Sequence, residues 1–505
     1  MNLADIASGH PADDAAIIHR GVVTTYGELD GLVGRARSGL RANGIGPGDR
    51  VAIVCSNGLS FVVAYLGLLG IGAVVVPLNP TSPAVELTRQ LETVGAIAAI
   101  VDCSASAWRD VDREHLTALR LVVAVDGADL PDSVSADATL ETPTALGAEP
   151  VAVVDVDATH LAVLMFTSGT AGSPRVAMLT HGNLLANLDQ AMTEHDRLHP
   201  GDVLYAVIPL FHIFGLNVAL GMTLRSGATL LAVQRFDPAT ALESFQSRGV
   251  TAIAGAPALW VAFSHFDEAP ADSFATVRVA YSGAAKLPVA VAERMESRFG
   301  VRIAEGYGLT EASPIVTSST GVRPKYGSVG FVLDGIDMRI VDEHGDDCLV
   351  GDAGEILIRG ANVFSGYLDD PEATARVLTP DGWLRTGDIG YCDDDGRLYL
   401  VDRAKDLVIV SGFNVFPAEV EEVLLQHRGV QDVGVIGVPH PHTGEAVKAF
   451  VVPEPGARLD EETLIEFALE HLARYKCPSK VVIVDELPRN ATGKLLRRDL
   501  DGVVS

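Results

Sequence analysis

Cysteine is scarce in this chain of 505 residues, and no two of its cysteines stand in a CxxC arrangement. The five thiols, at positions 55, 103, 348, 392 and 477, are odd in number and widely scattered, which favours reduced cysteines over a disulfide framework. The first residues, MNLADIASGH, lack the basic and apolar regions of a secretory signal. We therefore expect the protein to be cytoplasmic.

Positive charge is also in short supply. The 66 acidic residues outnumber the 38 basic ones and give a formal net charge of −28, which repels nucleic-acid backbones and anionic lipid headgroups. We expect no nucleic-acid partner, and any anionic ligand must be held by a local cluster of cations and backbone N–H groups. Apolar residues make up 48% of the chain, enough for a sizeable interior, and the length predicts two to four units.

Long unbroken apolar runs are missing as well. Residues 51–85 carry no charge, but polar, glycine and proline residues divide them into strand, helix and strand lengths. This pattern predicts a buried βαβ unit, and we expect no integral membrane segment.

Strand-like and helix-like segments alternate through the first 320 residues or so. Strands are predicted at residues 51–55, 73–77, 96–102, 203–208, 228–233, 250–254 and 277–281. Alternation without hairpin signals predicts an α/β fold, in which helices cover parallel sheets in αβα layers. Residues 126–157, rich in Asp, Ala, Pro and Thr, are interpreted as a surface connection.

The sequence changes in character at about residue 327. Short strands separated by turn signals predict an antiparallel β subdomain over residues 327–400. About a hundred residues of α+β elements follow, enough for a small separate domain. We predict a large N-terminal domain of residues 1–402 and a C-terminal domain of residues 403–505, with the boundary at residues 403–405.

One glycine-rich loop indicates phosphate chemistry. The sequence FTSGTAGSPR, residues 166–175, follows an apolar run and combines hydroxyl donors, glycines that permit close backbone approach, and the fixed charge of Arg175. It lacks the GK[ST] ending of a Walker loop, so P-loop geometry cannot be assumed. Taken alone, it is equally compatible with an ordinary turn.

Six further motifs follow in order along the chain. They are PLFHIFG (209–215), YSGAAKL (281–287), EGYGLTE (305–311), RTGD (385–388), DRAKDLVIVSGFNVFPAEVE (402–421) and PRNATGKLLRR (488–498). Together with the glycine-rich loop, these segments resemble the adenylate-forming (ANL) superfamily, which includes acyl-CoA synthetases, firefly-type luciferases and peptide-synthetase adenylation domains. The resemblance extends from roughly residue 20 to residue 498.

This resemblance implies a two-step ligase reaction of the acyl-CoA synthetase type. A carboxylate attacks the α-phosphorus of ATP to form an acyl-adenylate, and the thiol of CoA then takes the acyl group. The first step needs charge neutralisation and alignment more than proton transfer, so cations and a metal should outnumber acid–base residues. The expected cofactors are ATP, Mg²⁺ and CoA.

The resemblance also assigns roles to individual residues. Glu311 and Thr170 would hold Mg²⁺, a hard cation that takes oxygen ligands, and both are predicted catalytic residues together with Lys494. The alternative for Glu311 is a charge at a helix N-terminus. The predicted contacts to the phosphates are Thr167, Ser168, Gly169, Thr170, Gly172 and Arg175.

The nucleoside would be held by two other motifs. Tyr307 would stack on adenine, with Gly306 and Thr310 in contact with the nucleotide and Glu305 near the adenine amino group. Asp388 would accept hydrogen bonds from the ribose hydroxyls beside its partner Arg403. A plain surface ion pair is the alternative for these two residues.

The C-terminal motifs imply a mobile domain that serves both half-reactions. Lys494 would enter the site for adenylation as a point charge between carboxylate and phosphate, the alternative being a solvated lysine in a basic tail. Lys405 would be the hinge, and rotation would bring Ser411 and Gly412 to the channel of the CoA thiol. The RYKCP segment (474–478) either contacts CoA phosphates or caps a helix.

The glycine-rich loop departs from the superfamily pattern at three positions. Ala171, Arg175 and Val176 stand where threonine, lysine and glycine are usual. The arginine keeps the charge, the missing hydroxyl costs about 1 kcal/mol, and valine disfavours a positive φ. We expect an active enzyme with a raised KM for ATP.

The acyl substrate is predicted to be a fatty or other apolar acid. No Asp or Glu lies between Asp202 and Asp237, where amino-acid-activating relatives hold an α-ammonium group. Residues 211–220 and 253–263 either line a hydrocarbon tunnel or are ordinary core helices. The resemblance places His212, Gly215, Gly283 and Ala284 at the acyl pocket, with His212 in binding and gating.

Two alternatives to a carboxylate–CoA ligase are retained. An acyl-AMP ligase would load an acyl carrier protein, and a protein with a degenerate loop would bind nucleotides or acyl-adenylates without turnover. A carrier-protein partner and a homodimer both remain open.

Overall fold

The computed structural model describes residues 1–125, 138–139, 149–167, 175–193, 197–403, 406, 408–410, 413–440, 443–491 and 493–502. For residues 138–139, 402–403, 409, 413–414, 444 and 501–502 only the backbone is described. The chain divides into two compact units, Met1–Asp337 with Arg359–Leu384 and Met338–Ile358 with Arg385–Ser505. The predicted boundary at residues 403–405 remains a prediction.

A seven-stranded sheet forms one half of the first unit. In chain order its strands are β3 (Arg50–Val54), β4 (Val74–Pro77), β5 (Ala98–Val101), β6 (Leu121–Ala124), β7 (Ala138–Thr139), β8 (Leu161–Thr167) and β9 (Arg175–Thr180). Their spatial order is β7-β6-β5-β3-β4-β8-β9. Strands β3 and β4 are parallel and are joined by helix α2 (Leu59–Gly70), which is almost wholly buried. The predicted buried βαβ unit is confirmed.

A nine-stranded sheet forms the other half. Its strands are β1 (Ala15–His19), β2 (Val22–Thr25), β10 (Val203–Ala206), β11 (Thr229–Ala232), β12 (Ala252–Gly255), β13 (Val279–Ser282), β14 (Ile303–Gly308), β15 (Ile315–Ser318) and β16 (Phe331–Val332). Their spatial order is β16-β15-β14-β13-β12-β10-β11-β1-β2. The run from β1 to β14 is parallel, so these strands end at the same edge of the sheet.

Helices cover both sheets. They are α1 (Tyr26–Ala42), α3 (Ala84–Val94), α4 (His181–Ala191), α5 (Met222–Ser226), α6 (Pro238–Arg248), α7 (Pro257–Ser264), α8 (Val289–Phe299) and α9 (Pro371–Val377), with a π-helix at Phe214–Gly221. Helix α1 begins where Thr25 and Glu28 form a capping box. Trp260 and Phe263 of α7 lie in the core under the nine-stranded sheet, so this part of residues 253–263 is ordinary core.

The second unit contains two smaller sheets. Strands β17 (Ile336–Val341), β18 (Gly354–Gly360), β19 (Leu384–Cys392) and β20 (Leu398–Arg403) form one sheet in that order. Strands β21 (Val408–Val410), β22 (Phe413–Val415), β23 (Val430–His440), β24 (Gly444–Pro453) and β25 (Lys480–Ile483) form the other. Helices α10 (Pro417–Leu424) and α11 (Glu461–His471) complete the unit, and Val420, Leu424 and Leu464 pack in its core.

Two features of the sheets differ from the sequence-based expectation. Strands β8 and β9 form an antiparallel pair, so the glycine-rich loop joins two strands of a hairpin. Strand β15 pairs antiparallel with β14, upstream of the predicted start of antiparallel structure. Between β8 and β9 the Gly, Ser, Thr and Pro residues fit a ligand-binding loop as well as a hairpin turn, so local composition does not reveal the pairing. No described helix has the length and apolar character needed to cross a bilayer.

Candidate active site

A short segment of residues 364–368, the crossing segment, runs beside strand β9. The Met178 N–H donates to the Gly366 carbonyl at 3.0 Å, and the Leu368 N–H donates to the Val176 carbonyl at 2.8 Å. At its start, the Phe364 N–H donates to the Glu311 carbonyl at 2.9 Å. The crossing segment therefore holds the strand that begins with Arg175 close to the loop that carries Glu311.

Tyr367 of the crossing segment connects the predicted phosphate cation with the predicted metal ligand. Its hydroxyl donates to Oε1 of Glu311 at 2.8 Å, and the Arg175 guanidinium lies 5.4 Å from its ring centroid. Nε of Arg175 also lies 3.6 Å from a carboxylate oxygen of Asp370. Burial, together with the negative charge of Glu311, raises the pKa of Tyr367, so its hydroxyl stays protonated and donates.

The conformation of the crossing segment depends on Gly366. Its φ of +119° is one that side chains with a Cβ rarely adopt, and an added Cβ would lie 2.7 Å from Cγ2 of Thr374. Sequence analysis missed Tyr367 because no spacing rule links positions 175, 311 and 367. The only local signal in the sequence is the glycine immediately before the tyrosine.

Glu305 lies on β14, two residues before Tyr307, and both side chains are buried. The Glu305 carboxyl accepts hydrogen bonds from the backbone N–H groups of Leu287 and Gly327. Burial raises the pKa of Glu305 to about 7, although these hydrogen bonds and Lys286 act in the opposite direction. Glu305 thus anchors the YSGAAKL loop, a role that the sequence did not predict.

Glu305→Gln should flatten the dependence of stability on pH. The folded-state pKa of about 7 lies above the ordinary carboxyl pKa of 4.5, so the wild-type protein loses stability relative to the variant as pH rises from about 4.5 through 7. Over this pH range, the difference in unfolding free energy between the two proteins should change by on the order of 3 kcal/mol. Urea unfolding of both proteins at pH 5 to 8, followed by tryptophan fluorescence, measures it. A pH-independent difference would contradict the assignment.

The predicted acyl-pocket residues flank the π-helix. Nδ1 of His212 accepts a hydrogen bond from the Phe214 N–H at 3.2 Å, which fixes the ring at the start of the helix. A Cβ on Gly283 would lie 3.2 Å from the ring of Phe214. Gly215 packs too closely on the Pro209 carbonyl to carry a side chain, and Ala284 adopts a φ of +70°. Phe214 therefore contacts two of the predicted acyl-pocket residues, His212 and Gly283.

The second unit holds the predicted ribose site. Asp388 on β19 is buried, with 8% of its surface exposed. In the antiparallel pairing of β19 with β20, it lies directly opposite Arg403. The register thus brings together the two positions predicted to act as partners, while the side chain of Arg403 lies outside the described residues.

Lys494 lies in a tight turn of the second unit. Its N–H donates to Oδ1 of Asn490 at 2.8 Å, and its carbonyl accepts from the Asn490 N–H at 2.9 Å. Arg489 donates to Gly493 O at 2.7 Å and to both oxygens of Asp432 at 2.8 and 2.7 Å. Arg497 likewise binds Glu421. Arg489 and Arg497 are therefore engaged in ion pairs, while the placement of the Lys494 ammonium for adenylation stays a prediction.

Several predicted site residues lie outside the described residues, namely Ser168, Gly169, Thr170, Ala171, Gly172, Lys405, Ser411 and Gly412. Thr167 ends β8 and Arg175 begins β9, so the loop between them is anchored by a paired position at each end. Val176 lies in β9 opposite Phe166, in extended structure. The concern that valine disfavours a positive φ at this position therefore does not apply.

Comparison with known proteins adds independent evidence. Residues 3–368 match the family described as AMP-binding enzyme, and residues 419–494 match the AMP-binding enzyme C-terminal domain. The chain belongs to the AMP-binding enzyme family. The predicted resemblance, α/β fold and enzyme class are confirmed: the protein is an AMP-forming acid–thiol ligase that uses ATP, Mg²⁺ and CoA.

Relatives of this AMP-binding enzyme cover nearly its whole length. A long-chain-fatty-acid–CoA ligase of Bacillus subtilis is 33% identical, over 99% of this chain and 93% of the relative. A 3-[(3aS,4S,7aS)-7a-methyl-1,5-dioxo-octahydro-1H-inden-4-yl]propanoyl:CoA ligase of Mycobacterium tuberculosis is 38% identical, over 97% and 95%. The crystal structure of ATP-bound MatB from Rhodopseudomonas palustris superimposes with a TM-score of 0.90 at 32% identity, covering 99% and 98%.

Proposed function

We propose that Glu311 and Arg175 form the phosphate-activating centre of an apolar-acid–CoA ligase. The contact through Tyr367 supports this, because it joins a carboxylate and a guanidinium that are 136 positions apart in a chain with few cations. Arg175 would bind phosphate oxygens through its planar fork of donors. Lys494 would supply the ammonium charge for adenylation, and Asp388 would hold the ribose.

The donor set at Glu311 fits Mg²⁺. Tyr367 occupies one carboxylate oxygen, and no described residue forms a hydrogen bond to the other. Among the described residues, no three His, Cys, Asp or Glu side chains form a metal-binding group. This suits a cation bound by one or two carboxylates and completed by phosphate oxygens and water. When bound, Mg²⁺ would neutralise charge on the phosphates.

In the proposed first step, each requirement is met by a residue of this chain. Arg175 and the backbone of the glycine-rich loop would orient the phosphates, while Tyr367 keeps the Glu311 carboxylate in one rotamer. Lys494 would bring the attacking carboxylate and the α-phosphate together, with pyrophosphate as the leaving group. No described residue of this centre is required to take a proton, since an ionised carboxylate attacks directly.

The acyl substrate is proposed to be an apolar acid, either a fatty acid or a polycyclic or aromatic one. The neighbourhood of Phe214 and Gly283 supports this, because an aromatic ring and a side-chain-free position form a surface for hydrocarbon. Arg225, a cation of the following helix, forms an ion pair with Asp189 at 2.9 Å. A second carboxylate on the substrate would therefore find no assigned counter-charge there.

A panel of acids tests the proposed function. Pyrophosphate release should be measured with ATP, Mg²⁺ and fatty acids of graded length, aryl-propenoic acids, polycyclic propanoates and amino acids. We expect release with apolar acids and none with amino acids, followed by thioester formation when CoA is added. Release without discharge to CoA would favour a carrier-protein ligase, and absence of release with every acid would contradict the proposal.

The cellular site is also proposed. All five cysteines are free thiols, and two of them, Cys55 and Cys477, are buried. We infer that the enzyme works in a reducing compartment, the cytoplasm.

Tyr367→Phe should weaken the use of Mg²⁺ while leaving the fold intact. Loss of a hydrogen bond to a charged group should raise the Mg²⁺ concentration for half-maximal adenylation by about tenfold. Tyr326→Phe is a matched control, because the Tyr326 hydroxyl donates to Glu296 at 2.7 Å in the same unit and neither residue belongs to a predicted motif. Equal effects of the two variants would show that Tyr367 is merely structural.

A further inference from the structure

Buried asparagines hold the turn that carries Glu311. This turn, residues 310–315, leads from β14 into β15, and we call it the carboxylate turn. Within it Ser313 adopts a φ of +72°, a left-handed conformation that residues other than glycine keep only where surrounding contacts hold them. Three side chains that are at most 2% exposed supply such contacts, namely Asn187, Asn217 and Asn362.

Two of these asparagines reach the carboxylate turn from outside the predicted acyl pocket. Asn187 lies on helix α4, where its amide donates to the Ile315 carbonyl at 2.7 Å and accepts from the Ile315 N–H at 3.0 Å. Asn362 precedes the crossing segment and donates to the Ala312 carbonyl at 2.9 Å. Both therefore fix the backbone on either side of Ser313.

Asn217 reaches the carboxylate turn from the π-helix. Its Nδ2 donates to the Ser313 carbonyl at 2.7 Å and to the Leu184 carbonyl of α4 at 3.2 Å, so both amide hydrogens are used. Its backbone carbonyl accepts from the Met222 N–H five residues later, the bond that defines a π-helix. Such wide turns are rare and are frequent at functional sites. One side chain thus joins the π-helix, α4 and the carboxylate turn.

The same π-helix begins at the predicted acyl pocket. Phe214 is its first residue, its N–H donates to Nδ1 of His212 at 3.2 Å, and a Cβ on Gly283 would lie 3.2 Å from its ring. Asn217 follows Phe214 by three residues, which is less than one turn of the helix. A constraint on the ring therefore reaches the carboxylate turn through one short helical segment and one hydrogen bond.

We propose that Asn217 is a positioning residue that couples binding of the carboxylic acid to binding of ATP with Mg²⁺. This deepens the proposed function and rests on it. An acid seated against Phe214 stabilises the π-helix, and the Asn217 amide passes this constraint to the Ser313 carbonyl, two residues after Glu311. The acid favours the state of the carboxylate turn in which this bond is made. By reciprocity, the nucleotide strengthens binding of the acid by the same factor.

Calorimetric titration with α,β-methylene-ATP and Mg²⁺ tests the coupling without turnover, because the methylene bridge prevents release of pyrophosphate. The Kd of this analogue is measured without acid and with a saturating amount of the most active acid of the panel described above. In the wild type, the acid should lower the Kd by about tenfold. In Asn217→Leu, which keeps the approximate volume and removes both donors, the acid should no longer change the Kd.

Asn187→Leu is the matched control. Asn187 is as deeply buried as Asn217 and holds the same turn, but it lies on α4 and makes no bond to the π-helix among the described contacts. This variant should bind the analogue more weakly with and without acid alike, and so keep the ratio of about tenfold. The same pattern in Asn217→Leu would show a merely structural role and would overturn the proposal.

Gly221→Ala reaches the Asn217 amide without removing it. A Cβ on Gly221 would lie 2.9 Å from Oδ1 of Asn217 and 3.0 Å from Cδ2 of Leu188, so the added methyl group displaces the amide. The effect of the acid on the Kd should shrink in this variant as well. Urea unfolding shows which variants are folded, and Gly221→Ala decides the question if Asn217→Leu does not fold.

Failure of the coupling and failure of the proposed function give different results. If the wild type releases pyrophosphate with an acid that leaves the Kd of the analogue unchanged, the coupling is wrong and the proposed function stands. An undiminished effect of the acid in a folded Asn217→Leu or Gly221→Ala protein would also overturn the coupling. Absence of pyrophosphate release from the wild type with every acid would instead count against the proposed function.

Discussion

Lys494→Ala is expected to lower adenylation by about 10²- to 10³-fold, the usual cost of removing a donor aimed at developing charge. Thioester formation from supplied acyl-adenylate should remain close to wild type, because that step does not need the ammonium group. Pyrophosphate release and acyl-adenylate discharge, measured separately, give the two rates. The split between half-reactions is the signature of the assigned role.

The structure adds to this prediction that the turn around Lys494 is held by contacts that the side chain does not make. The backbone of Lys494 is held by Asn490 on both its N–H and its carbonyl, and Arg489 clamps the turn to Asp432. Truncation of the side chain leaves these contacts in place, so the variant should fold. Lys480→Ala, an exposed lysine on β25, is the matched control. Equal loss in both half-reactions would contradict the role given to Lys494.

Glu311→Gln is expected to lower adenylation by a similar factor of about 10²- to 10³-fold. The amide keeps the shape of the side chain and an oxygen that can accept from Tyr367, so the change removes charge with little loss of packing. A neutral amide is a poorer ligand for a hard cation. Higher Mg²⁺ concentrations should restore part of the rate, and a titration of Mg²⁺ in the pyrophosphate-release assay measures this.

The control for Glu311 is Glu296→Gln. Glu296 also accepts a hydrogen bond from a tyrosine hydroxyl in the same unit, at 2.7 Å from Tyr326. We expect that variant to retain wild-type adenylation and Mg²⁺ dependence. If Glu311→Gln retained full activity at limiting Mg²⁺, the helix N-terminal interpretation of Glu311 would be correct and the metal assignment wrong.

Much of the fold was predictable because apolar periodicity is a local signal. The uncharged residues 51–85 gave a buried strand, helix and strand, and the observed strands lie within about two residues of the predicted ones. The β8–β9 hairpin was missed, since Gly, Ser and Thr in its turn serve equally well in a phosphate-binding loop. Local composition does not distinguish these two uses.

A residue of the candidate site could be predicted from the sequence only where it lies within a single recognisable motif. Glu311, Tyr307 and Lys494 could each be named from their immediate neighbours in sequence. The contacts of Tyr367 and Arg489 could not be predicted in this way. Tyr367 bonds a residue 56 positions away, and Arg489 bonds Asp432, 57 positions away.

The sequence by itself determined the family, the α/β class, the motif residues and the acidic charge, because each of these is a property of composition or of short, ordered segments. Tertiary structure decided which charges are engaged and which are left for ligands. It joined Arg175 to Glu311 through Tyr367, and it occupied Lys476 with Glu419. Partner choice among charged groups depends on distances that sheet pairing sets, and sheet pairing is a non-local property of the chain.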